Sequence, residues 1–437
     1  MESSLAPVLA PEHVAVAGGP TDPSHDEQLR RGIIFTDVRR LVAWLLCALF
    51  LSAIYGVPLS QAYLERRAGD DSPLLDLFRR KPSVENLRQF EKDIEQASYA
   101  KAFTQPRLQL LLTRFGRVGN KLALVGRGGW LYYRPGVQHV GGPGFLNRDV
   151  QRSREKDTLD AGEPAIVADP RPAIIAFQQA LAQRGIRLVL LPMPDKSALA
   201  GAPLHGRGVP AVAPQNPDFP GFIRELRSRG VAVLDVREGL PTAPPEALFL
   251  VQDTHWTPRL MEHTARVLAS YVSGLGVLSA RPEVAPFHAV EQTVARVGDI
   301  VDMLKLPDEQ TFFLPQSVRV HEVRDADDAP WEPDPKAELL LLGDSFTNIF
   351  SLEGMGWGNA SGLAPQLARA LGRPVDVIAQ NDSGAFATRQ TLARELAAGE
   401  DRLQGKRVVV WEFASRELSV GDWKAIDWNA PAPGGAK

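Results

Sequence analysis

The apolar positions of this 437-residue chain fall into three regimes. Residues 41–64 read LVAWLLCALFLSAIYGVPLSQAYL, a run without one charged residue. About 20 apolar residues suffice to cross a bilayer as a helix, so the run predicts a membrane span. Trp44 and Tyr63 lie toward its ends, where interfacial aromatics belong. The run begins too far into the chain and is too long for a cleaved signal peptide. The competing reading is a buried core helix. Residues 84–115 follow a different pattern, with Leu87, Phe90, Ile94 and Ala97 at helical spacing. They predict a helical stalk leading away from the span.

From about residue 119 onward, apolar strands alternate with amphipathic helices. Residues 121–125 read as a strand, followed by a glycine-rich turn and Gly129-Trp130-Leu131-Tyr132-Tyr133. Residues 172–184 read as a helix, with Gly185 just past its end and the apolar strand 187–191 ending at Pro192. The same order recurs at 222–229, Gly230 and 231–236, and again at 363–371, Gly372 and 375–379. Residues 339–342 are four leucines, and 407–411 form a last apolar strand. Repeated helix–glycine–strand units with continuously apolar strands predict an α/β fold: a parallel sheet with helices on both faces. Sites in such sheets gather at the C-terminal strand ends. Residues 288–333 break the alternation and read as an insertion or a substrate-facing loop region.

The predicted organisation is a largely disordered cytoplasmic leader (1–40), the span (41–64), a helical linker (65–118), the α/β domain (119–425) and a short tail (426–437). Lys and Arg flank the span on both sides, with Arg39 and Arg40 before it and Arg66, Arg67, Arg79, Arg80 and Lys81 after it. Their count does not set the orientation. A short leader ahead of a first span commonly stays inside, which favours an inner-membrane anchor with the large domain outside the cytoplasm. The formal net charge of -3 argues against a nucleic-acid partner. One cysteine, Cys47, rules out an intrachain disulfide framework or a cysteine-built metal site.

The chemistry concentrates at two places. Gly343-Asp344-Ser345 ends the leucine strand and opens a helical segment, which exposes a serine hydroxyl at the sheet edge. Backbone N–H groups there, that of Ser345 first, are candidate oxyanion donors. A serine needs a base and a group that orients the base. Of eight histidines, His255 is the candidate, because Asp253 lies two residues before it in Asp253-Thr254-His255-Trp256. In extended chain the two side chains leave one face. Both motifs have plainer readings. Gly-Asp-Ser is also a structural turn, and Thr257-Pro258 makes the preceding residues a helix start. A metal site of Asp253, His255 and His263 matches no common ligand spacing, so neither a metal nor another cofactor is expected.

Several stretches together resemble the AlgJ/AlgX-type, SGNH-hydrolase-like O-acetyltransferases of bacterial exopolysaccharides. They are Gly128 to Tyr133, Asp253-Thr254-His255-Trp256, Gly343-Asp344-Ser345-Phe346, Gly384-Ala385-Phe386-Ala387-Thr388-Arg389, and Trp411-Glu412-Phe413 running into Arg416-Glu417-Leu418. The resemblance implies a circularly permuted SGNH-like fold and a triad of Asp253, His255 and Ser345. It also implies a polysaccharide acceptor in the periplasm and an acetyl donor supplied through a multi-spanning membrane-bound O-acyltransferase. With such an acceptor Gly384 is a second candidate oxyanion donor, Arg389 and Arg416 are candidates to hold an anionic sugar or order the site, with structural ion pairs as their plainer reading, and Trp256 and Tyr132 are candidates to stack on a sugar, with core packing as theirs. The rivals left open are an acetyl-esterase with the same triad and a non-catalytic polysaccharide-binding subunit.

Overall fold

The computed structural model describes residues 39–69, 81, 83–206, 213–240, 243–280, 287–381 and 384–428. The expected disordered leader and most of the tail lie outside these residues. The chain divides into two compact units, Met1–Ala102 and Phe103–Lys437.

In the first unit a helix covers Arg40–Ala68 and includes the predicted span. It has one π-helical turn at Ser52–Gly56. At 1.5 Å per residue its 29 residues reach about 44 Å, more than the roughly 30 Å of a bilayer core. Its apolar side chains face outward, with Leu41, Trp44, Leu49 and Phe50 each more than 60% exposed. A buried core helix would not expose them. Among the described residues, one helix is long and apolar enough to cross a membrane. The predicted stalk falls in two helices, Val84–Ala97 in this unit and Tyr99–Gly116, which runs past Ala102 into the second. Ser98 adopts extended geometry between them, at ψ 107.

Among its described residues the second unit has nine strands: β1 (Ala123–Val125), β2 (Leu131–Tyr133), β3 (Arg187–Met193), β4 (Ala232–Val233), β5 (His288–Arg296), β6 (Gln316–Arg324), β7 (Leu339–Gly343), β8 (Asp376–Ala379) and β9 (Val408–Ala414). The central sheet has the order β4-β3-β9-β7-β8, and every pairing in it is parallel. Alternate residues feed opposite faces. Val189, Leu191, Leu339, Leu341, Val408 and Val410 pack with helices Pro258–Gly274 and Leu363–Leu371. Leu188, Leu190, Leu340, Leu342, Val409 and Trp411 pack with helices Pro170–Gln183, Phe219–Ser228 and Gly384–Ala397. Each buried leucine contributes about 1.5–3 kcal/mol, so β7 alone anchors the strand end that carries Ser345.

Pro192 does not end β3, which runs on to Met193. Arg187 and Met193 turn their backbone groups toward β9, so the alternation turns those of Leu190 and Pro192 toward β4. There β4 has already ended, at Val233. The missing N–H therefore costs no ladder bond. Residues 288–333 are not an irregular loop region. They form a nine-pair antiparallel hairpin, β5 with β6, and the short helix Asp299–Met303 between the two strands.

Candidate active site

β7 delivers Ser345. All five residues of the strand are buried, and the chain turns at once into the one-turn helix Ser345–Asn348. Asp344 caps that helix, accepting the Phe346 N–H at 2.8 Å through Oδ1 and the Ala414 N–H at 2.7 Å through Oδ2. A Cβ at Gly343 would collide with Thr347 Oγ1, so only glycine allows the turn to close this tightly. Beneath the turn lies Glu412 of β9, fully buried. Its Oε2 accepts the Asp344 N–H at 3.0 Å and the Thr347 hydroxyl at 2.9 Å. Burial, and then the neighbouring Asp344 charge, push the Glu412 carboxyl well above the usual carboxylate range.

Asp253 and His255 do not lie at the end of a strand. Phe249 and Trp256 form an antiparallel bridge, and the residues between them make a tight loop. Within it Asp253 Oδ1 accepts the His255 backbone N–H at 3.1 Å and faces His255 Nδ1 at 2.6 Å. The two side chains meet through this Asx-type turn, not through strand alternation. The plainer reading of the same stretch also holds. Thr257 caps helix Pro258–Gly274, its hydroxyl accepting the Leu260 N–H. One segment both starts a helix and presents a carboxylate–imidazole pair.

The two motifs converge. His255 Nε2 lies 2.8 Å from Ser345 Oγ, and all three side chains are buried. Asp253 Oδ2 accepts the Trp357 indole N–H at 3.1 Å and the Asp299 backbone N–H at 3.0 Å. Burial alone would raise the Asp253 carboxyl and lower the His255 imidazole. Their mutual hydrogen bond and opposite charges reverse both, so Asp253 falls to about 2 and His255 rises above its ordinary value.

Three further groups brace this arrangement, and the sequence reading assigned a role to none of them. The Lys196 ammonium is buried and donates to the carbonyls of Leu131, Val251 and Asp253 at 2.6, 2.9 and 3.0 Å. All three of its N–H donors are thereby used, and the loop of Asp253 is tied to β2. Burial pulls this lysine down to about 7 against the raising charges of Asp253 and Asp299. Asp299 accepts the Thr254 N–H at 2.7 Å, and its other oxygen lies 3.9 Å from His255 Nδ1. Burial and then the Asp253 charge push its carboxyl upward. Gly298 lets this helix start abut the loop, because a Cβ there would collide with the Gln252 carbonyl. Trp357 is the third. Asp253, His255 and Asp299 offer ligand atoms within 4.8 Å of one another. Asp253 already uses both oxygens, and His255 both nitrogens, in hydrogen bonds.

Of the expected sugar contacts, Arg416 lies beside the site. Its guanidinium stands over the rings of Phe346 and Tyr133 at 5.7 and 5.2 Å and pairs with Asp195 at 3.3 Å. Arg389 does not lie there. It is fully buried on the other face of the sheet, against Trp411 and Trp423, and donates to the carbonyls of Ala385 and Lys424. The helical spacing that placed it in the Gly384–Ala397 helix turns it toward the core. Tyr132 is fully buried with its hydroxyl on the Ala200 carbonyl, and Trp256 packs edge-on to Phe346. Neither offers a ring face to a glycan. Gly384 is the first residue of its helix. Just before it, Asn381 Oδ1 accepts from Asn348 Nδ2 at 2.8 Å, at the edge of the Ser345 turn.

A strand-end serine held by an imidazole–carboxylate pair is the arrangement that can activate a hydroxyl for nucleophilic acyl chemistry. Residues 123–415 match the family model described as "SGNH hydrolase-like domain, acetyltransferase AlgX". The chain belongs to this family. The AlgX-type domain thus covers both motifs and the whole central sheet, and the protein is an O-acetyltransferase. It is 26% identical over 297 residues to the probable alginate O-acetylase AlgJ of Azotobacter vinelandii, covering 66% of this chain and 71% of that protein. To the same-named protein of Pseudomonas aeruginosa it is 26% identical over 293 residues, covering 64% and 72%. The solved O-acetyltransferase domain of Pseudomonas putida AlgJ aligns at TM-score 0.48 and 20% identity, over 69% of this chain and 93% of that one. Pseudomonas aeruginosa AlgX aligns at TM-score 0.44 and 15% identity, over 68% and 66%.

Proposed function

We propose that this protein acetylates hydroxyl groups of an exopolysaccharide outside the cytoplasm, through an acetyl-serine formed on Ser345. The observation that carries the reading is the continuous chain from Ser345 Oγ through His255 to Asp253, at 2.8 and 2.6 Å, within an AlgX-type domain. Ser345 Oγ attacks the carbonyl carbon of an acetyl ester donor while His255 Nε2 takes its proton. The new Oγ–C bond forms as the donor's C–O bond breaks, and His255 returns the proton to the leaving oxygen. A sugar hydroxyl then gives its proton to His255 and attacks the acetyl-serine. The acetyl group moves to the sugar oxygen, and the proton returns to Ser345. Asp253 holds the imidazole in the tautomer that accepts at Nε2 and stabilises the imidazolium. The Ser345 N–H, with Gly384 as second candidate, stabilises the oxyanion. Arg416, beside the site and paired with Asp195, is proposed to meet an anionic sugar or donor.

The relatives named alginate O-acetylase AlgJ support a polysaccharide acceptor. The helix Arg40–Ala68 supports a single-pass inner-membrane anchor, and the catalytic domain is proposed to be periplasmic because a short leader ahead of a first span commonly stays inside. The acetyl group is proposed to come through a multi-spanning membrane-bound O-acyltransferase. The test is direct. The full-length protein is incubated with a soluble acetyl ester and uronic-acid, glucose or amino-sugar oligomers. The expected products are an acetylated Ser345 peptide and acetylated oligosaccharide. Fast release of free acetate from acetylated polymer, with no oligomer acetylated, would make the protein an esterase instead.

A further inference from the structure

Glu412 puts a carboxyl group into an apolar layer. Strand alternation places it on the same face of β9 as Val408, Val410 and Ala414, all of them core residues. Its partner across the ladder on β3 is Leu191, of the same core. Glu412 itself is 0% exposed. Among the described residues no Lys, Arg or His pairs with it. An unpaired carboxylate in such a place is far costlier than the neutral acid.

The hydrogen bonds point the same way. Glu412 Oε2 accepts twice, from the Asp344 N–H at 3.0 Å and the Thr347 hydroxyl at 2.9 Å. Oε1 is buried and meets no donor among the described residues. The Asp344 carboxylate, itself 4% exposed, stands within hydrogen-bonding reach of the Glu412 carboxyl. Two buried carboxyl groups in contact do not both stay charged, and one proton between them satisfies both. That proton belongs on Glu412. Asp344 already accepts two backbone N–H groups, those of Phe346 at 2.8 Å and Ala414 at 2.7 Å. The charges that follow β9, Arg416 and Glu417, also act on Asp344. With a proton on Oε1, Glu412 gives one hydrogen bond and accepts two.

We infer that Glu412 is a positioning residue held as a neutral acid, and that its bonds to the Asp344 N–H, the Asp344 carboxylate and the Thr347 hydroxyl fix the turn on both sides of Ser345. One side chain then sets where Ser345 Oγ stands before His255 and where the Ser345 N–H points. The inference deepens the acetyl-transfer reading and rests on Ser345 being its nucleophile. Burial and the Asp344 charge both act to keep the proton on Glu412. A group whose folded-state pKa is raised gives stability that is present at low pH and lost as pH rises through that pKa.

The test uses the full chain in detergent, grown with and without isotope-labelled glutamate. Its infrared spectrum in mildly alkaline buffer should show the C=O stretch of a protonated carboxyl that moves with the label and is missing in Glu412→Gln. A spectrum without that band would overturn the proposal, because Glu412 would then be charged. The band does not need Ser345 to react, so it stands apart from any failure of the catalytic reading. The second readout is acylation of Ser345 by a soluble acetyl ester. Glu412→Met keeps the bulk and loses all three hydrogen bonds. It should lower kcat about ten- to a hundredfold with KM within about twofold. Glu412→Gln, neutral and able to donate and accept as the acid does, should restore kcat to within about fivefold of wild type. Equal losses in the two variants, or no loss in Glu412→Met, would overturn the positioning role. The wild-type urea midpoint should also fall more steeply toward alkaline pH than that of Glu412→Gln, and equal slopes would count against a proton on Glu412 even where Glu412→Met does not fold.

Discussion

Two serine–histidine pairs stand at the C-terminal ends of neighbouring strands. One is Ser345 with His255 Nε2, at 2.8 Å, after β7. The other is Ser419 with His139 Nδ1, at 2.6 Å, after β9. Both serines sit in one-turn helices, Ser345–Asn348 and Glu417–Val420, and both histidines are buried. Proximity of hydroxyl and imidazole therefore does not distinguish them. The far nitrogen does. His255 has Asp253 on Nδ1, and its pKa is raised even though burial works the other way. His139 has no carboxylate hydrogen-bonded to it among the described residues. Burial keeps its pKa below the ordinary value despite the charge of Asp195. A general base must be more stable as the cation once it takes the serine proton, and only the first pair arranges that.

Ser345→Ala tests the first pair most severely. Acetyl transfer should fall by about ten-thousandfold or more, with an unchanged circular-dichroism melt, because the change removes one buried oxygen. Wild-type turnover from this variant would remove Ser345 from the mechanism. Asp253→Asn turns the first pair toward the second. It should cost about 10²- to 10⁴-fold in kcat, read with a chromogenic acetyl ester.

Lys196→Met should weaken both fold and site. It leaves three buried carbonyls without their donor, an effect of about 3–5 kcal/mol if none is re-satisfied, visible as a lower midpoint in urea. Activity should fall about ten- to a hundredfold, since Asp253 is no longer tied to β2. The pH profile follows from His255. The imidazole must be neutral to act as base, and its folded-state pKa lies above 6.5. The value of kcat/KM should drop tenfold per unit as pH falls through that raised pKa, and be flat above it. In Asp253→Asn the residual activity should keep its plateau to lower pH. Ser419→Ala, the smallest change, should leave turnover within about twofold and shift stability by about 1 kcal/mol.

The sheet was readable because its strands are apolar on both faces and its helices end in glycines such as Gly185 and Gly372, both at positive φ. The triad was readable as residue types, since Asp253 and His255 are two apart and Ser345 ends a leucine strand. Its geometry was not, because an Asx turn and an extended strand look alike in a sequence. The bracing groups were hidden for different reasons. Glu412 is the lone carboxylate in the apolar strand Val408–Ala414, but nothing local says that it braces the Ser345 turn. Lys196 reads as an ordinary polar residue after a strand. Asp299 comes from a region between β5 and β6 that no local pattern ties to residue 253. Arg389 misled because a cation in a matching motif stretch reads as a ligand, and only the packing turns it inward. The hairpin of β5 and β6 was missed because its alternating polar and apolar residues look irregular beside continuously apolar strands.

Asp253 and His255 are joined within a single turn, while Ser345 reaches them from 90 residues further on. The site thus joins a contact of very short range to one of long range. The imidazole–carboxylate bond can form as soon as the loop between Phe249 and Trp256 closes. The nucleophile arrives only when β7 has taken its place beside β9. A far-downfield N–H resonance from His255 reports the loop, and acylation of Ser345 reports the sheet. Followed together during refolding, the resonance should appear first, and the interval before the serine becomes acylatable times the assembly of the domain by its own chemistry.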